Sequence, residues 1–158
     1  MTCAFHLVDD LRNARSELLV ACQDVPDRDL HRRPNGGWAI IELLAHLPDV
    51  DRYYLSQARL LRDVPGHTFV YFDDEAWARD NTDAIERDTP AVKVAMAAAH
   101  EEVVRWAGSL TPEELDRAGG HTRRGSVSVR EMVQRIAAHD RTHAQQAVEV
   151  RRELAGLR

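Results

Sequence analysis

The chain has 158 residues, 44% of them hydrophobic, enough to bury a sizeable core, and the simplest organisation is one domain over 1–158. Its 21 basic and 26 acidic residues give a formal net charge of -5 without a basic block, so a nucleic-acid partner has no electrostatic footprint. No apolar run is long enough for a membrane span and the start lacks a charged, then apolar, leader pattern; no membrane partner is expected, and the cytoplasm is the default location.

In chain order, Phe5, Val8, Leu11, Leu18, Leu19 and Cys22 fall on helical spacing and predict a first helix over about 3–22. Residues 23–37 read as loop, because Pro34-Asn35-Gly36-Gly37 continues neither helix nor strand. Arg32 and Arg33 lie in it, where a solvated role is the plain reading and an anionic ligand the functional one. From Trp38 to Leu61 a second helix is marked by Ile40, Ile41, Leu44, Leu47, Val50, Tyr54, Ala58 and Leu61, a stripe wide enough for more than one neighbour. Pro48 removes an amide inside this run, so a kink is expected one turn beyond His46. His46 sits on the apolar face with Glu42 one turn before it and Asp49 nearly one turn after it. Alone, such a histidine is ordinarily a satisfied core residue; carboxylates at that spacing are also what orient a metal-bound imidazole.

Periodicity breaks between Asp63 and Asp88, where Pro65-Gly66, an aromatic run and acidic residues around Trp77 predict a long crossover with a short helical turn near 74–79. A third helix follows over about 90–110, capped by Asp88 or Thr89, with Val92, Met96, Ala99, Val103 and Trp106 on its apolar side and His100 read as peripheral. Thr111-Pro112-Glu113-Glu114 signs a short helix, and 121–127 reads as a polar loop. Ser128 with Glu131 is a capping box for the last helix, 128–154, whose buried stripe runs through Val129, Met132, Val133, Ile136, Ala147 and Leu154. His139 and His143 stack on one face of it at i and i+4. Two ligands do not fill a coordination sphere, and on its own the pair reads more readily as histidines bonded to neighbours. With His46 the set becomes three imidazoles from two helices, leaving one or more positions open.

Four long amphipathic segments need one another to cover their stripes, which predicts an all-α four-helix bundle with a long crossover between helices two and three and no sheet beyond a stray pair of residues in that crossover. Gly37-Trp38 through Glu42 to His46-Leu47-Pro48-Asp49-Val50-Asp51, then Ala76-Trp77, then Ser128 to Glu131 and His139 to Gln146, together resemble the conserved blocks of the DinB-like superfamily, over nearly the whole chain. The resemblance implies an up-down-down-up bundle in which His46, His139 and His143 hold one divalent metal, zinc or nickel first, often in a homodimer. Two positions depart from the pattern: Ala39 stands where family members commonly have a capping serine, so Asn35 is the substitute expected, and Asp51 stands where they commonly have glutamate. Glu42, Asp49, Asp51 and Gln146 are the candidates to orient the imidazoles.

The resemblance also implies, as the first expectation, a metal-dependent transferase using a small thiol such as mycothiol, bacillithiol or glutathione. A metal-dependent hydrolase is the second reading, and a non-catalytic metal- or small-ligand-binding bundle the third, since the chain has no nucleophile elbow or phosphate loop. No catalytic residue is assigned beyond the metal ligands. Arg32, Arg33, Arg123 and Arg124 are the candidate substrate contacts, for carboxylates on such a thiol, if the loops 26–37 and 119–127 wall the site. Cys3 and Cys22, the only cysteines, form no metal knuckle and fall outside both histidine helices, so a reacting thiol must come from solution.

Overall fold

The computed structural model describes residues 4–157, which leaves Cys3 outside the described residues. Its elements are α1 (Ala4–Ala21), α2 (Asp27–Leu30), α3 (Ile40–Asp63), β1 (Thr68–Phe69), α4 (Asp74–Asp80), a 3-10 turn (Thr82–Glu86), α5 (Thr89–Gly108), α6 (Pro112–Leu115), β2 (Ala118–His121), β3 (Gly125–Ser128) and α7 (Val129–Gly156). Each long helix lies on one of the apolar periodicities. Ser128 Oγ accepts from the Glu131 amide at 3.1 Å while Glu131 accepts from the Ser128 amide at 2.7 Å, the reciprocal bonds that start α7. Asp88, not Thr89, caps α5, accepting from the Ala91 amide at 3.0 Å. At α3 the cap is Ala39, which has no side-chain acceptor; Glu42 Oε2 holds the Ala39 amide at 2.9 Å, so half of the box survives and Asn35 plays no part in it. The helix runs unbroken through Pro48.

Side-chain pairs fix the helix directions. Asp10 meets Arg141 and Ala21 meets Arg151, so α1 and α7 are parallel. Arg15 meets the Met96 carbonyl and Val8 lies against Gly108, so α1 and α5 are antiparallel. His46 meets His143 and Tyr54 meets His139, so α3 and α7 are antiparallel. The bundle is therefore up-down-down-up, with α1 and α3, successive long helices, diagonal to each other.

A three-stranded sheet in the order β1-β2-β3 replaces the expected polar loop at 121–127. β2 and β3 form an antiparallel hairpin, and β1 from the crossover joins β2 in parallel. The strands are too short for an alternating pattern to show, and the glycines that read as breakers are what let the backbones close: a Cβ on Gly119 would stand 2.1 Å from the His67 carbonyl oxygen. Gly125, at φ +81, supplies the left-handed turn residue. Likewise α2 and the 3-10 turn interrupt segments that carry no helical period.

The core divides in two. One cluster holds Leu7, Leu11 and Ala14 of α1, Val50 and Tyr54 of α3, Val103 of α5, and Met132, Val133, Ile136 and Ala137 of α7, with Phe69 and Val127 from the sheet. The other holds Leu18, Ile40, Ile41, Leu44, Leu47, Met96, Ala147, Val150 and Leu154, with Trp77 of α4. On each long helix some buried polar residues fall at the boundary between them: Arg15, His46 and Asp51, His100, and Asp140 and His143, whereas Glu42, Gln57 and Thr89 are buried away from it. A polar stratum thus crosses the bundle at mid-height. At its heart Arg15 donates from Nε to Asp140 at 2.9 Å, from Nη2 to Asp51 at 2.9 Å and from Nη1 to the Met96 carbonyl at 3.2 Å, tying four helices together.

Candidate metal centre

His46 reaches the stratum from α3, and His139 and His143 from α7, so that one nitrogen of each ring lies within 4.8 Å of the others. The ring centroid of His46 is 4.7 Å from that of His143 and 5.7 Å from that of His139. Their hydrogen bonds fix which nitrogen is bare. His46 Nδ1 donates to the Leu43 carbonyl at 2.6 Å, leaving Nε2 as a lone pair, and that atom is buried without a hydrogen-bond partner. His143 Nδ1 donates to Gln146 Oε1, and its Nε2 lies 3.0 Å from His139 Nε2. One proton can serve two of these Nε2 atoms; a cation serves all three.

Electrostatics favour the same state. Burial holds His46 and His143 down to about 4, and burial with the two neighbouring imidazoles takes His139 to about 2, so all three are neutral at pH 7 and able to ligate. The donor set, three neutral imidazoles with orienting acceptors behind two of them, fits a divalent ion of the borderline class, such as zinc or nickel.

Around His46 the walls are aromatic. Trp38 and Trp77 stand 5.1 and 5.5 Å from its ring and 5.5 Å from each other. On the open side is a cleft of about 400 Å³ bordered by His46 and His143, the turn Pro34 to Trp38, Asp74 at the start of α4, and Gln146, Glu149, Val150 and Glu153 of α7. Asp74 Oδ1 is 3.8 Å from His46 Nε2, and partial burial raises its carboxyl above the ordinary aspartate range.

Of the residues expected to orient the imidazoles, Gln146 does so directly. Asp49 instead accepts from Trp77 Nε1 at 2.8 Å, and so fixes the aromatic wall around His46 rather than the ring itself. Glu42 holds Arg33 through two bonds of 3.0 and 2.6 Å, which accounts for both residues without a ligand. Asp51 belongs to the Arg15 network. Arg32 is exposed in the turn that ends in α3, and is not on the cleft wall. Arg123 and Arg124 lie in the hairpin, where both amides donate to His121 Nδ1 at 3.0 Å and the Arg123 guanidinium covers the Tyr71 ring at 4.8 Å. That hairpin is separated from His139 by the rings of Tyr54 and Phe69, so only the 34–37 turn, and not 119–127, walls the cleft. His100 lies outside the three-histidine cluster but is buried, with neither ring nitrogen bonded.

Sequence reasoning missed Asp74 and Arg15. The signal for Asp74 was a run of acids before Trp77 in a crossover too long to lack a purpose. For Arg15 it was a cation at i+4 from Leu11 on an apolar stripe, matched by Asp140 on the inner face of α7.

A family model described as the DinB superfamily matches residues 10–147. A protein of Oceanobacillus iheyensis whose name proposes a metal-dependent hydrolase is 28% identical over 108 residues, covering 68% of this chain; the chain spans 61% of that relative's length. The structure of YfiT from Bacillus subtilis, described as a proposed metal-dependent hydrolase with an unusual four-helix bundle topology, superposes with a TM-score of 0.79 at 17% identity, covering 96% of this chain and 87% of the other.

Proposed function

Since this chain belongs to the DinB superfamily, we propose that it is a divalent-metal-dependent hydrolase of small amides or esters, its ion held by His46, His139 and His143. The observation that carries this reading is the convergence of three neutral imidazoles beside an open cleft that also presents a carboxylate, Asp74. The names given to the two relatives support hydrolysis over thiol transfer. So does the cleft wall, which carries none of the four arginines that were to hold an anionic thiol.

A divalent ion bound there supplies Lewis acidity to a substrate carbonyl and acidifies water at neutral pH. The rest is done by the chain. Leu43 and Gln146 hold two imidazoles in the tautomer whose Nε2 is bare. Trp38 and Trp77 close one side of His46 to solvent. Asp74 Oδ1 faces the open side, where it takes the proton of an attacking water and returns it to the leaving group.

The test is turnover of activated esters and anilides by protein stripped with a chelator and reloaded with zinc or nickel. Activity is expected to follow metal content, and Asp74→Asn to lower kcat by about 100-fold or more at one metal per chain. Absence of metal-dependent hydrolysis, together with a saturable thiolate-to-cobalt band on adding mycothiol, bacillithiol or glutathione, would overturn this in favour of thiol transfer.

A further inference from the structure

α4 carries Asp74, the carboxylate on the open side of the three imidazoles, yet it has only seven residues and is no part of the four-helix bundle. A helix that short has little stability of its own, so its position comes from tertiary bonds. Its two ends are secured locally. Asp73 caps the first turn, accepting from the Ala76 amide at 2.8 Å, and Asn81 donates to the Trp77 carbonyl at 2.9 Å while accepting from Arg87 at 2.7 Å. Those partners belong to the crossover itself and tie α4 to nothing in the bundle. Among the described residues, one hydrogen bond joins α4 to a long helix, the 2.8 Å bond from Trp77 Nε1 to Asp49 Oδ2 of α3. Its place is specific. His46 and Asp49 are three residues apart on α3, Asp74 and Trp77 are three apart on α4, and residues at that spacing share a helix face. The two faces therefore meet at two matched points, His46 Nε2 with Asp74 Oδ1 at 3.8 Å and Asp49 with Trp77 at 2.8 Å. The first is too long for a hydrogen bond, so only the second is directional.

Resting on the hydrolase reading above, we propose that Asp49 is a positioning residue: through the Trp77 indole it sets where α4 lies on α3, and so holds the Asp74 carboxylate against the open side of the metal centre. The Trp77 ring is 7% exposed and packs on Trp38 and His46. Such packing is non-directional and fixes how deep the ring sits, not how it is turned. The charge-assisted bond from its N–H to a carboxylate fixes the turn. Asp49 is itself exposed and adds nothing to the core, so the acceptor it offers is its contribution. Without that acceptor α4 is free to rotate about the buried indole, and Asp74, a turn away, shifts against His46. Misplacing a reacting group by about 1 Å lowers turnover by up to about 100-fold.

Geometry and turnover are read separately. Asp49→Leu removes the acceptor at an exposed position with little change of bulk, and Asp49→Asn restores a neutral acceptor in the same place. In NMR spectra of the metal-free protein, the nuclear Overhauser contact between the Asp74 β-protons and the His46 ring is expected to weaken at least about threefold in Asp49→Leu and to regain most of its strength in Asp49→Asn, while the contact between Tyr54 and His139 stays in both. In zinc-loaded protein acting on an activated ester, kcat is expected to fall about 10-fold in Asp49→Leu with KM and zinc content within about twofold, and to recover to within about threefold in Asp49→Asn. An Asp74 to His46 contact unmoved by Asp49→Leu, or not restored by Asp49→Asn, would overturn the positioning role whatever the protein hydrolyses. So would a loss confined to zinc content or KM, which would place Asp49 with the ligands or the substrate. Wild-type protein without metal-dependent hydrolysis, in which the Asp74 contact still answers to Asp49 as described, would overturn the hydrolase reading and uphold Asp49 as the residue that places Asp74.

Discussion

Replacing Arg15 with methionine is the most exacting test of the stratum that carries the site. Met keeps most of the side-chain length and apolar stem, so the change isolates the guanidinium. It removes bonds to Asp140 at 2.9 and 3.2 Å, to Asp51 at 2.9 Å and to the Met96 carbonyl at 3.2 Å, and leaves two carboxylates that are 1% and 0% exposed without a cation. Breaking one partner out of a buried ion cluster costs about 3–5 kcal/mol, most of it from the charge left behind. Asp51 already stands near the limit: burial pushes its carboxyl up to about 7 against the pull of Arg15. Without Arg15 both carboxyls are expected to protonate, which moderates the loss toward the lower figure. For a chain of this size about 3 kcal/mol lowers Tm by roughly 6–12 °C. Urea unfolding of the metal-free protein measures it directly, and the triple change Arg15→Met, Asp51→Asn, Asp140→Asn is expected to recover more than half, because asparagine is neutral without the cost of taking up a proton at pH 7. A loss below about 1 kcal/mol for Arg15→Met, or a triple variant weaker than the single, would refute the reasoning.

Changing His139 to alanine should reduce bound metal from close to one ion per chain to below about a tenth, by elemental analysis of untagged protein, since two imidazoles are an incomplete set. Gln146→Leu frees the His143 ring without removing a ligand, and zinc affinity measured by chelator competition should fall about 10- to 100-fold while Tm of the metal-free protein moves by under 2 °C. In pH titrations the sign follows from protonated imidazole being no ligand: because burial holds His46 and His143 near 4, zinc affinity should stay level as pH falls from 8 to about 5.5 and drop steeply only on approach to 4. A decline that begins at the ordinary histidine value of about 6.5 would show the rings to be solvated.

The four long helices were legible because each repeats its apolar residues over several turns, and the caps at Asp88, Thr111 and Ser128 are chemical signals that do not depend on tertiary contacts. The histidines were legible for a related reason, being polar residues at apolar positions. What escaped were features made by contacts distant in sequence. Nothing near Asp49 says that it will bond Trp77 rather than His46, 28 residues away in the first case and one turn in the second. The hairpin escaped because two four-residue strands carry too few side chains to show a period, and Gly119 reads as a breaker until the His67 carbonyl is seen against it. The cleft's charge escaped in a different way: Glu149 and Glu153 look like ordinary solvated helix residues until the turn at 34–37 folds over the same end.

The parallel pairing of α1 with α7 has a further bearing, on how the chain reaches this state. The bonds from Arg15 to Asp140 join residues 125 apart in sequence and hold the first long helix alongside the last. On the ribosome, at about 5–20 residues per second, the stripe of Leu7, Leu11 and Leu18 meets α5 before α7, and roughly 6–25 s separate the synthesis of Arg15 from that of Asp140. Because α1 packs mainly on α5 and α7, the next long helix in sequence, α3, gives that stripe little shelter in the interval. Loop closure over such a span slows folding below the usual pace of helical bundles, and the nascent first helix is the segment that a holding chaperone would meet.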